Sequence, residues 1–282
     1  MKNLIIYFYG IVPDKIKTTN AGYYIYANEH EYFLKENTRT IEELYELYNL
    51  SKESSVLHKI VINKYNMILS QVDSREYILL EIRTFENRKI NLDDILELSR
   101  IEITGKFKHI NRNNWRMMWI NKLDYLEYNF QEFEKDLIKY FDYNIGLAEN
   151  GLQILMYIDN TSQHMCHINL NSETRIVEFY DPTNIVLDTR ARDICEFYRN
   201  IIDDNPNKVE ELPLQMLDDK EKTLLFVRTL FNKEYFDILT NRIEIDVNKI
   251  YEKMKNHELA IRILYKKLKE FLPEIEWLKK TS

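Results

Sequence analysis

Residues 178 to 199 read EFYDPTNIVLDTRARDICEFYR, and the order of parts in this stretch decides the fold that we predict. An apolar segment typical of a strand ends at Asp181. A helix is expected to begin near Asp188 and Thr189, because an acid or a threonine at a helix start can accept hydrogen bonds from free backbone amides. That helix carries Asp193 in its first turns. The stretch therefore places three acids where a metal-phosphate site could form.

The first 85 residues are dominated by predicted strands. Short apolar segments alternate with turns in this region, as is typical of β-strands; they cover residues 4–9, 23–27, 32–35, 61–62, 67–71 and 77–83. One helix interrupts them. Ile41, Leu44 and Tyr48 fall at helical spacing behind Thr38 or Thr40, either of which can serve as the N-cap. The pattern predicts a small sheet with one inserted helix.

The remainder of the chain is predicted to be mostly helical. Apolar residues recur every three or four positions from 115 to 141, which predicts one long amphipathic helix. Further helices are expected at 145–158, 218–231, 234–242 and 247–271, with strand-like pieces at 164–170 and 175–180. The prediction is an α+β, bilobal architecture with a small β-rich N-terminal lobe, residues 1–85, and a larger helical C-terminal lobe, residues 86–282.

Composition excludes several classes of protein. The chain has 282 residues and a formal net charge of −7, which argues against a general nucleic-acid binder. Its longest apolar run, residues 4–13, is about half as long as a transmembrane helix requires. Cys166 and Cys195 are the only cysteines, too few for a disulfide framework, so both are expected to be buried thiols in a reducing, cytoplasmic environment.

Several stretches together resemble one protein superfamily. They are YFLK at 32–35, YILLEIR at 77–83, HINL at 167–170, YDPTNIVLDTRARDICEF at 180–197 and the segment 217–239. In this order they resemble the kinase-like phosphotransferases of the aminoglycoside and choline kinase branch, and specifically the spore-coat kinase-like proteins of Firmicutes. The resemblance implies a bilobal protein-kinase-like fold. In sporulating bacteria it also implies association with the spore coat and with protein partners there.

The resemblance assigns expected roles to individual residues. Lys35 would contact the phosphates of ATP, with Glu42, Glu43 or Glu46 on the next helix as its ion-pair partner. Asp181 would be the catalytic carboxylate that ligates Mg²⁺. Glu81, in the segment that resembles the hinge between the lobes, completes the expected cofactor-binding set of Lys35, Glu43, Glu46 and Glu81.

Two positions depart from the family's pattern. Asn169 stands where the family has its catalytic Asp, and an amide cannot accept a substrate proton as a carboxylate does. Thr174 stands where the family has a metal-binding Asn. The N-terminal strands also lack a Gly-rich phosphate loop, because Gly10 and Gly22 are isolated.

Each candidate residue also has a purely structural interpretation. Lys35 could be a solvated lysine at a strand end, and Asp181 before Pro182 is an ordinary turn signal. Asp188 and Thr189 fit helix capping better than chemistry, while Asp193 could support the catalytic loop or face water.

Three hypotheses follow. The first is a kinase fold with degenerate catalytic motifs, acting as a pseudokinase-like binding or assembly protein. The second is an enzyme that transfers phosphate from ATP and Mg²⁺ to a small-molecule acceptor, with another acid replacing the missing base. The third is a non-kinase helical interaction protein whose N-terminal sheet merely resembles a kinase lobe, and a structure in which Lys35 and Asp181 did not face one shared cleft would favour it.

Overall fold

The computed structural model describes residues 1–84, 86, 88–112, 114–158, 162–240 and 247–272. Its N-terminal part is an antiparallel sheet with the strand order β1, β2, β3, β6 and β4, and a further strand, β5, also pairs with β6. The strands are β1 Lys15–Thr19, β2 Gly22–Ala27, β3 His30–Glu36, β4 Lys59–Val61, β5 Ser70–Val72 and β6 Arg75–Glu81. In the register of β3 and β6, Lys35 lies opposite Ile78. The predicted sheet is confirmed, and β1 is a strand that the sequence did not reveal.

The N-terminal segment is helical, so the strand predicted at residues 4–9 is wrong. Helix α1 runs from Lys2 to Tyr9 and buries Leu4 and Ile5 against the sheet. It ends at Gly10, which adopts a left-handed conformation with φ of 69°. Apolar runs this short do not distinguish a strand from a helix by periodicity, whereas a glycine just beyond the run is a common helix terminator.

Helix α2, Ile41–Glu53, is the insertion predicted between the strands. Thr40 is its N-cap: the Thr40 side chain accepts a hydrogen bond from the Glu43 backbone N–H, and the Glu43 carboxylate accepts one from the Thr40 N–H. This capping box explains why the helix begins at this point. The buried face of α2 packs Leu44, Leu47 and Leu50 into the core beneath the sheet.

The remainder of the chain is mainly helical, as predicted. The helices are α3 Leu92–Arg100, α4 Trp115–Tyr128, α5 Lys135–Ile138, α6 Phe141–Leu155, α7 Ile176–Phe179, α8 Arg190–Asp204, α9 Asp219–Leu230, α10 Lys233–Leu239 and α11 Val247–Leu268. The single long helix predicted over residues 115–141 is wrong, because a 3-10 turn at Phe130–Glu132 and the short α5 separate α4 from α6. Trp115, Leu126 and Phe141 nevertheless enter one core. The apolar repeat therefore indicates which residues are buried, but it does not show that one continuous helix carries them.

A second, two-stranded sheet holds the segment quoted at the outset. Strand β7, His164–His167, pairs antiparallel with β8, Ile185–Asp188, which the sequence did not reveal as a strand. The strand predicted at residues 175–180 is instead the single helical turn α7, in which the Tyr180 N–H donates to the Ile176 carbonyl. Helix α8 begins after Thr189, as predicted. The β7–β8 pair sets the loops after His167 and before Ile185 side by side.

The α+β fold class is confirmed: an antiparallel N-terminal sheet precedes the helices. The predicted boundary residue, 85, lies outside the described residues. Across the described part of the chain, every helix is too short or too polar to cross a membrane.

Candidate active site

A cleft of about 560 Å³ brings together three of the predicted site residues, Lys35, Asn169 and Asp181. The sheet contributes Phe33 and Lys35 from β3 and Leu80 from β6, and the loops around the second sheet contribute Asn169 and Asp181. Lys35 and Asp181 therefore face one shared cleft. The arrangement that would have favoured a non-kinase helical protein, with Lys35 and Asp181 in separate places, is therefore not observed.

Lys35 and Asp181 are in direct contact at the floor of the cleft. The Lys35 Nζ donates to the Asp181 Oδ2 at 2.8 Å and to the Thr183 Oγ1 at 2.9 Å. The Thr183 hydroxyl donates in turn to the Asp181 Oδ1 at 2.7 Å, and the Thr183 backbone N–H donates to the same oxygen at 2.8 Å. Both carboxylate oxygens are thus already occupied by donors.

The Asp181 carboxylate is ionised in this setting. Its burial acts to raise its pKa, but the Lys35 ammonium and the hydrogen bonds from Thr183 outweigh burial and hold the pKa below its usual range. Only 7% of the Asp181 side chain and 18% of the Lys35 side chain are exposed. The two groups therefore form a shielded ion pair at the position where the resemblance places a metal ligand.

Lys35 does not have the partner that we predicted for it. Its ion pair is with Asp181, whereas Glu43 on α2 accepts from the Arg39 Nη1 at 3.3 Å and from the Arg112 Nη2 at 2.7 Å. The same Arg39 donates to the carbonyl oxygens of Thr183 and Ile185. Glu43 therefore anchors α2 to the loop after Asp181 through an arginine.

The other two predicted cofactor-binding acids lie in structural contacts. Glu46 accepts hydrogen bonds from the backbone amides of Lys108, His109 and Ile110, and these contacts outweigh its partial burial and lower its pKa. Glu81, at the end of β6, lies 3.8 Å from the Lys59 Nζ. Leu80 and Ile82, on either side of Glu81, line the cleft. A nucleotide-binding role for Glu46 or Glu81 stays a prediction.

His167 connects the two loops of the site. Its Nδ1 accepts from the Asn169 N–H at 3.2 Å, so its Nε2 carries the hydrogen that is shared with the Glu178 carbonyl at 3.3 Å. Burial lowers the pKa of His167 to about 4, so the ring is neutral at pH 7. The ring also stacks on Phe179 at 5.7 Å between centroids. His167 therefore acts as a neutral structural link.

Asp193 holds the backbone of His167 in place. Its Oδ2 accepts from the His167 backbone N–H at 2.8 Å, while its buried Oδ1 has no hydrogen-bond partner in the described part of the chain. Burial raises the pKa of Asp193 to about 7, despite the opposing Arg192 charge. The geometry agrees with the prediction that Asp193 supports the loop, and its role stays a prediction.

Asp193→Asn is expected to flatten the dependence of stability on pH. An unfolded Asp has a pKa near 4, so between about pH 4 and 7 folded Asp193 retains a proton that the unfolded chain has lost, and stability falls as the pH rises. Asparagine removes this loss and can still accept from His167. Urea denaturation at pH 5 and pH 8 measures the effect.

The control for this experiment is Asp124→Asn, at an exposed position on α4. Its pH dependence should match that of the wild type. Comparison with the wild type also separates Asp193 from Asp203, whose pKa is likewise raised, to about 8, by burial. Equal slopes in the wild type and in Asp193→Asn would contradict an elevated pKa at Asp193.

The two departures from the family's pattern both line the cleft. Asn169 is exposed there and presents an amide. The Thr174 hydroxyl is 3.1 Å from the Asn171 N–H, which donates to it, and the Thr174 carbonyl accepts from the Ile90 N–H. Thr174 therefore stabilises the loop through its hydrogen bonds with Asn171 and Ile90.

The cleft residues do not fit a magnesium nucleotide in this arrangement. Lys35 is the single cation among the described lining residues, against four carboxylates: Glu36, Glu173, Glu178 and Asp181. The described residues also contain no cluster of three or more metal-ligating side chains. A triphosphate would meet like charge, and a metal ion would have to displace Lys35 from Asp181.

The turn between β1 and β2, which also borders the cleft, has few features that bind phosphate. Ala21 lines the cleft from the tight turn between β1 and β2, where Gly22 pairs with Thr19. A side chain at Gly22 would lie 2.4 Å from the Leu34 carbonyl oxygen, so this glycine is needed for packing. In place of a Gly-rich loop, this region has a tight β1–β2 hairpin turn with the single glycine Gly22.

Sequence reasoning missed two residues of the site. Thr183 contacts both members of the ion pair, and Arg39 donates to the backbone carbonyls of Thr183 and Ile185. Asp181-Pro182-Thr183 does contain a signal for the first, because an Asp often accepts hydrogen bonds from the residue two positions later. Arg39 lies 144 residues from Thr183, and no local pattern predicts that contact.

Comparisons with known proteins agree with this geometry. The chain is 24% identical over 272 residues to the endospore coat-associated protein YutH of Bacillus subtilis (strain 168), covering 82% of this chain and 80% of that protein. Among solved structures it resembles spectinomycin phosphotransferase APH(9)-Ia in complex with ADP and spectinomycin, with a TM-score of 0.57, 14% identity and coverage of 96% and 98%.

A second solved structure is similar at the same level. Amicoumacin kinase hAmiN, in complex with AMP-PNP, Ca²⁺ and Ami, matches with a TM-score of 0.56 and 11% identity, covering 91% of this chain and 90% of that one. Identities this low show a shared fold and nothing about activity. The kinase-like fold that the sequence resemblance implies is thereby confirmed.

A family model described as "Spore coat putative kinase YutH" matches residues 2–272. The chain therefore belongs to this spore coat YutH family.

Proposed function

We propose that this protein is a pseudokinase-like binding or assembly protein of the spore coat. The observation that carries the proposal is the shielded ion pair between Lys35 and Asp181, with Asn169 beside it. In a working phosphotransferase the lysine serves phosphate and the aspartate serves the metal. Here the two groups neutralise each other, and the cleft remains negatively charged around them.

The loop chemistry supports the same proposal. Transfer to a hydroxyl needs a group that orients the acceptor and takes up its proton, and a carboxylate does this near neutral pH. The Asn169 amide can donate or accept a hydrogen bond but cannot take up the proton. His167 cannot replace it, because both of its ring nitrogens are already engaged with Asn169 and Glu178.

The runner-up is an ATP-dependent kinase for a small-molecule acceptor. One observation favours it: Glu173 and Glu178 are exposed carboxylates in the same cleft, and either could replace the missing base. In this mechanism the ion pair opens on binding, Lys35 moves to the phosphates of ATP, and Asp181 holds Mg²⁺. The solved relatives contain nucleotides, which supports this alternative only through the shared fold.

Thermal unfolding with and without Mg·ATP separates the two. A ligand at about a hundred times its dissociation constant stabilises a protein by about 2.7 kcal/mol, and a chain of this length then gains at least about 5 °C in unfolding midpoint. We expect no magnesium-dependent shift at millimolar nucleotide. Lys35→Ala and Asp181→Asn are measured in parallel.

Two results would argue against the pseudokinase proposal. A magnesium-dependent shift in the wild type that is lost in both variants would establish a nucleotide cleft. Steady ATP turnover with any acceptor, abolished by Asp181→Asn, would overturn the pseudokinase proposal and establish the runner-up.

Three further expectations are part of the proposal. The chain is divided into lobes at 1–85 and 86–282, its partners are coat proteins or a nucleotide or small-molecule ligand and not nucleic acid, and its location is cytoplasmic or at the spore coat. The relative from Bacillus subtilis, which is coat-associated by its printed name, supports the spore-coat partners.

A further inference from the structure

A second cavity, of about 350 Å³, lies between helices α4, α8, α9 and α10. Among the described residues it shares no lining residue with the cleft of Lys35. Ile168, which lies between His167 and Asn169 in the chain, is its point of contact with the catalytic loop. Its volume is within the range of small-molecule binding sites.

The cavity is basic, although the protein is acidic. Six cationic side chains line it: Arg112, Lys122, Arg192, Arg199, Arg228 and Lys233. Three acids of the lining oppose them, namely Asp188, Glu196 and Asp237, and Glu43 outside the lining pairs with Arg112. Within the lining alone the formal excess is three positive charges, in a chain whose net charge is −7. A local reversal of charge of this kind favours an anionic ligand.

Glu196 is the acid in closest contact with these cations. It accepts from the guanidinium groups of Arg199 and Arg228, and it lies 3.8 Å from the Lys233 Nζ. Of these three cations, Arg199 also interacts with Cys195 and Asp203. The Lys233 side chain is 53% exposed, so one of the three is accessible at the mouth of the cavity.

Two guanidinium groups also retain unused donors. Arg192 donates to Asp188 and to the Ile168 carbonyl, but its buried Nε has no acceptor within the described part of the chain. The buried Nε of Arg228 likewise has none there. Buried donors normally find partners, so both guanidinium groups keep a hydrogen-bonding capacity that the described residues do not use.

Aromatic side chains also line the cavity. Trp119 stacks on Phe231 with 4.3 Å between ring centroids and an interplanar angle of 14°, and on Trp115 at 5.8 Å and 24°. The Arg228 guanidinium lies over Trp115, 4.8 Å from the ring centroid. Flat aromatic surfaces next to arginine groups suit a planar ring that carries a carboxylate or phosphate.

We propose that this cavity binds a small aromatic anion, with Arg192 and Arg228 contacting its carboxylate or phosphate and its ring lying against the cluster of Trp115, Trp119 and Phe231. The charge excess, the unused guanidinium donors and the aromatic side chains support the proposal independently of the cleft. Binding there is adjacent to the catalytic loop, since Arg192 also holds the Ile168 carbonyl.

Phenyl phosphate and benzoate are suitable probes, with benzylamine as the cation of similar shape and inorganic phosphate as the anion without a ring. A ligand-observed NMR titration of the full chain measures each affinity. We expect saturable binding of at least one aromatic anion below about 10 mM, at least about tenfold weaker binding of inorganic phosphate, and none of benzylamine.

The variants locate the site. Arg228→Gln should weaken the bound probe at least about tenfold, because it removes a charge-assisted hydrogen bond. Lys233→Gln, at an exposed position, should weaken it about threefold. Lys255→Gln makes the same charge change at an exposed position of α11, outside the cavity, and should change the affinity by less than about twofold.

Several results would overturn the proposal. They are no saturation by either aromatic anion, equal binding of benzylamine, or affinities in Arg228→Gln and Lys233→Gln equal to that of Lys255→Gln. If Arg228→Gln fails to fold, as judged by circular dichroism, Lys233→Gln alone decides, because its side chain is half in solvent.

Discussion

Lys35→Ala is expected to lower the free energy of unfolding by about 3 kcal/mol at pH 7, because it leaves the buried Asp181 carboxylate without its counter-charge. The Lys35 Nζ lies 2.8 Å from the Asp181 Oδ2, and the pair is largely shielded from water. Urea denaturation at constant temperature measures the loss. Lys59→Ala is the matched control, since its 3.8 Å contact with Glu81 is exposed and should contribute less than about 1 kcal/mol.

The pH dependence of the same variant tests the cause. In the wild type the pKa of Asp181 is held low, so the pair contributes stability above about pH 4, and this contribution is lost as the pH falls through the folded pKa. Without Lys35, burial raises that pKa, and the variant loses further stability as the pH rises through it. The difference between wild type and variant should therefore be larger at pH 7 than at pH 5.

A second substitution distinguishes charge from packing. Adding Asp181→Asn to Lys35→Ala should recover at least about 1 kcal/mol, because it removes the uncompensated buried charge. If the double variant is less stable than Lys35→Ala alone, lost packing and not lost charge explains the effect.

Phe179→Ala is expected to cost about 3 to 5 kcal/mol, the usual range for removing a fully buried phenyl ring. Phe179 lies in α7, is 0% exposed, and contacts both His167 and Tyr180. Its removal leaves a cavity between the loop of Asn169 and the segment of Asp181. Chemical denaturation gives the loss, and the midpoint of the transition should fall without a change in its slope.

Two further variants establish the reason for that loss. Tyr128→Ala removes an aromatic ring that is 90% exposed on α4 and should cost less than about 0.5 kcal/mol. Phe179→Leu retains most of the buried volume and should cost about 1 to 1.5 kcal/mol. Equal losses in Phe179→Ala and Phe179→Leu would show that ring stacking on His167, and not cavity formation, is what stabilises this region.

The accuracy of the secondary-structure predictions followed the strength of the local signal. Helix α2 has a capping threonine and a clear apolar face, and it was predicted correctly. Residues 4–9 and 175–180 are short apolar runs, and both were predicted as strands although they are helical. Strand β8 is fully buried and follows a turn, so it lacks the alternation that identifies a half-buried strand.

The candidate site was predicted in part. Lys35, Asn169 and Asp181 were selected from family resemblance, and the structure places all three in one cleft. Glu43 and Glu46 were expected near Lys35 because they share its neighbouring helix. Glu43 instead contacts Arg39, four residues before it, and the distant Arg112, while Glu46 contacts backbone amides that are also distant in the chain.

The sequence by itself determined the class of fold, the order of the sheet and helices, and the amide at position 169, because these depend on residue identity and short-range periodicity. Only the tertiary structure decided the partner of Lys35, which lies 146 residues away along the chain. It also decided where six cations and three aromatic rings converge around a second cavity. Ion pairs and cavities depend on distances between remote segments, and those distances are set by how the core packs and not by any local pattern.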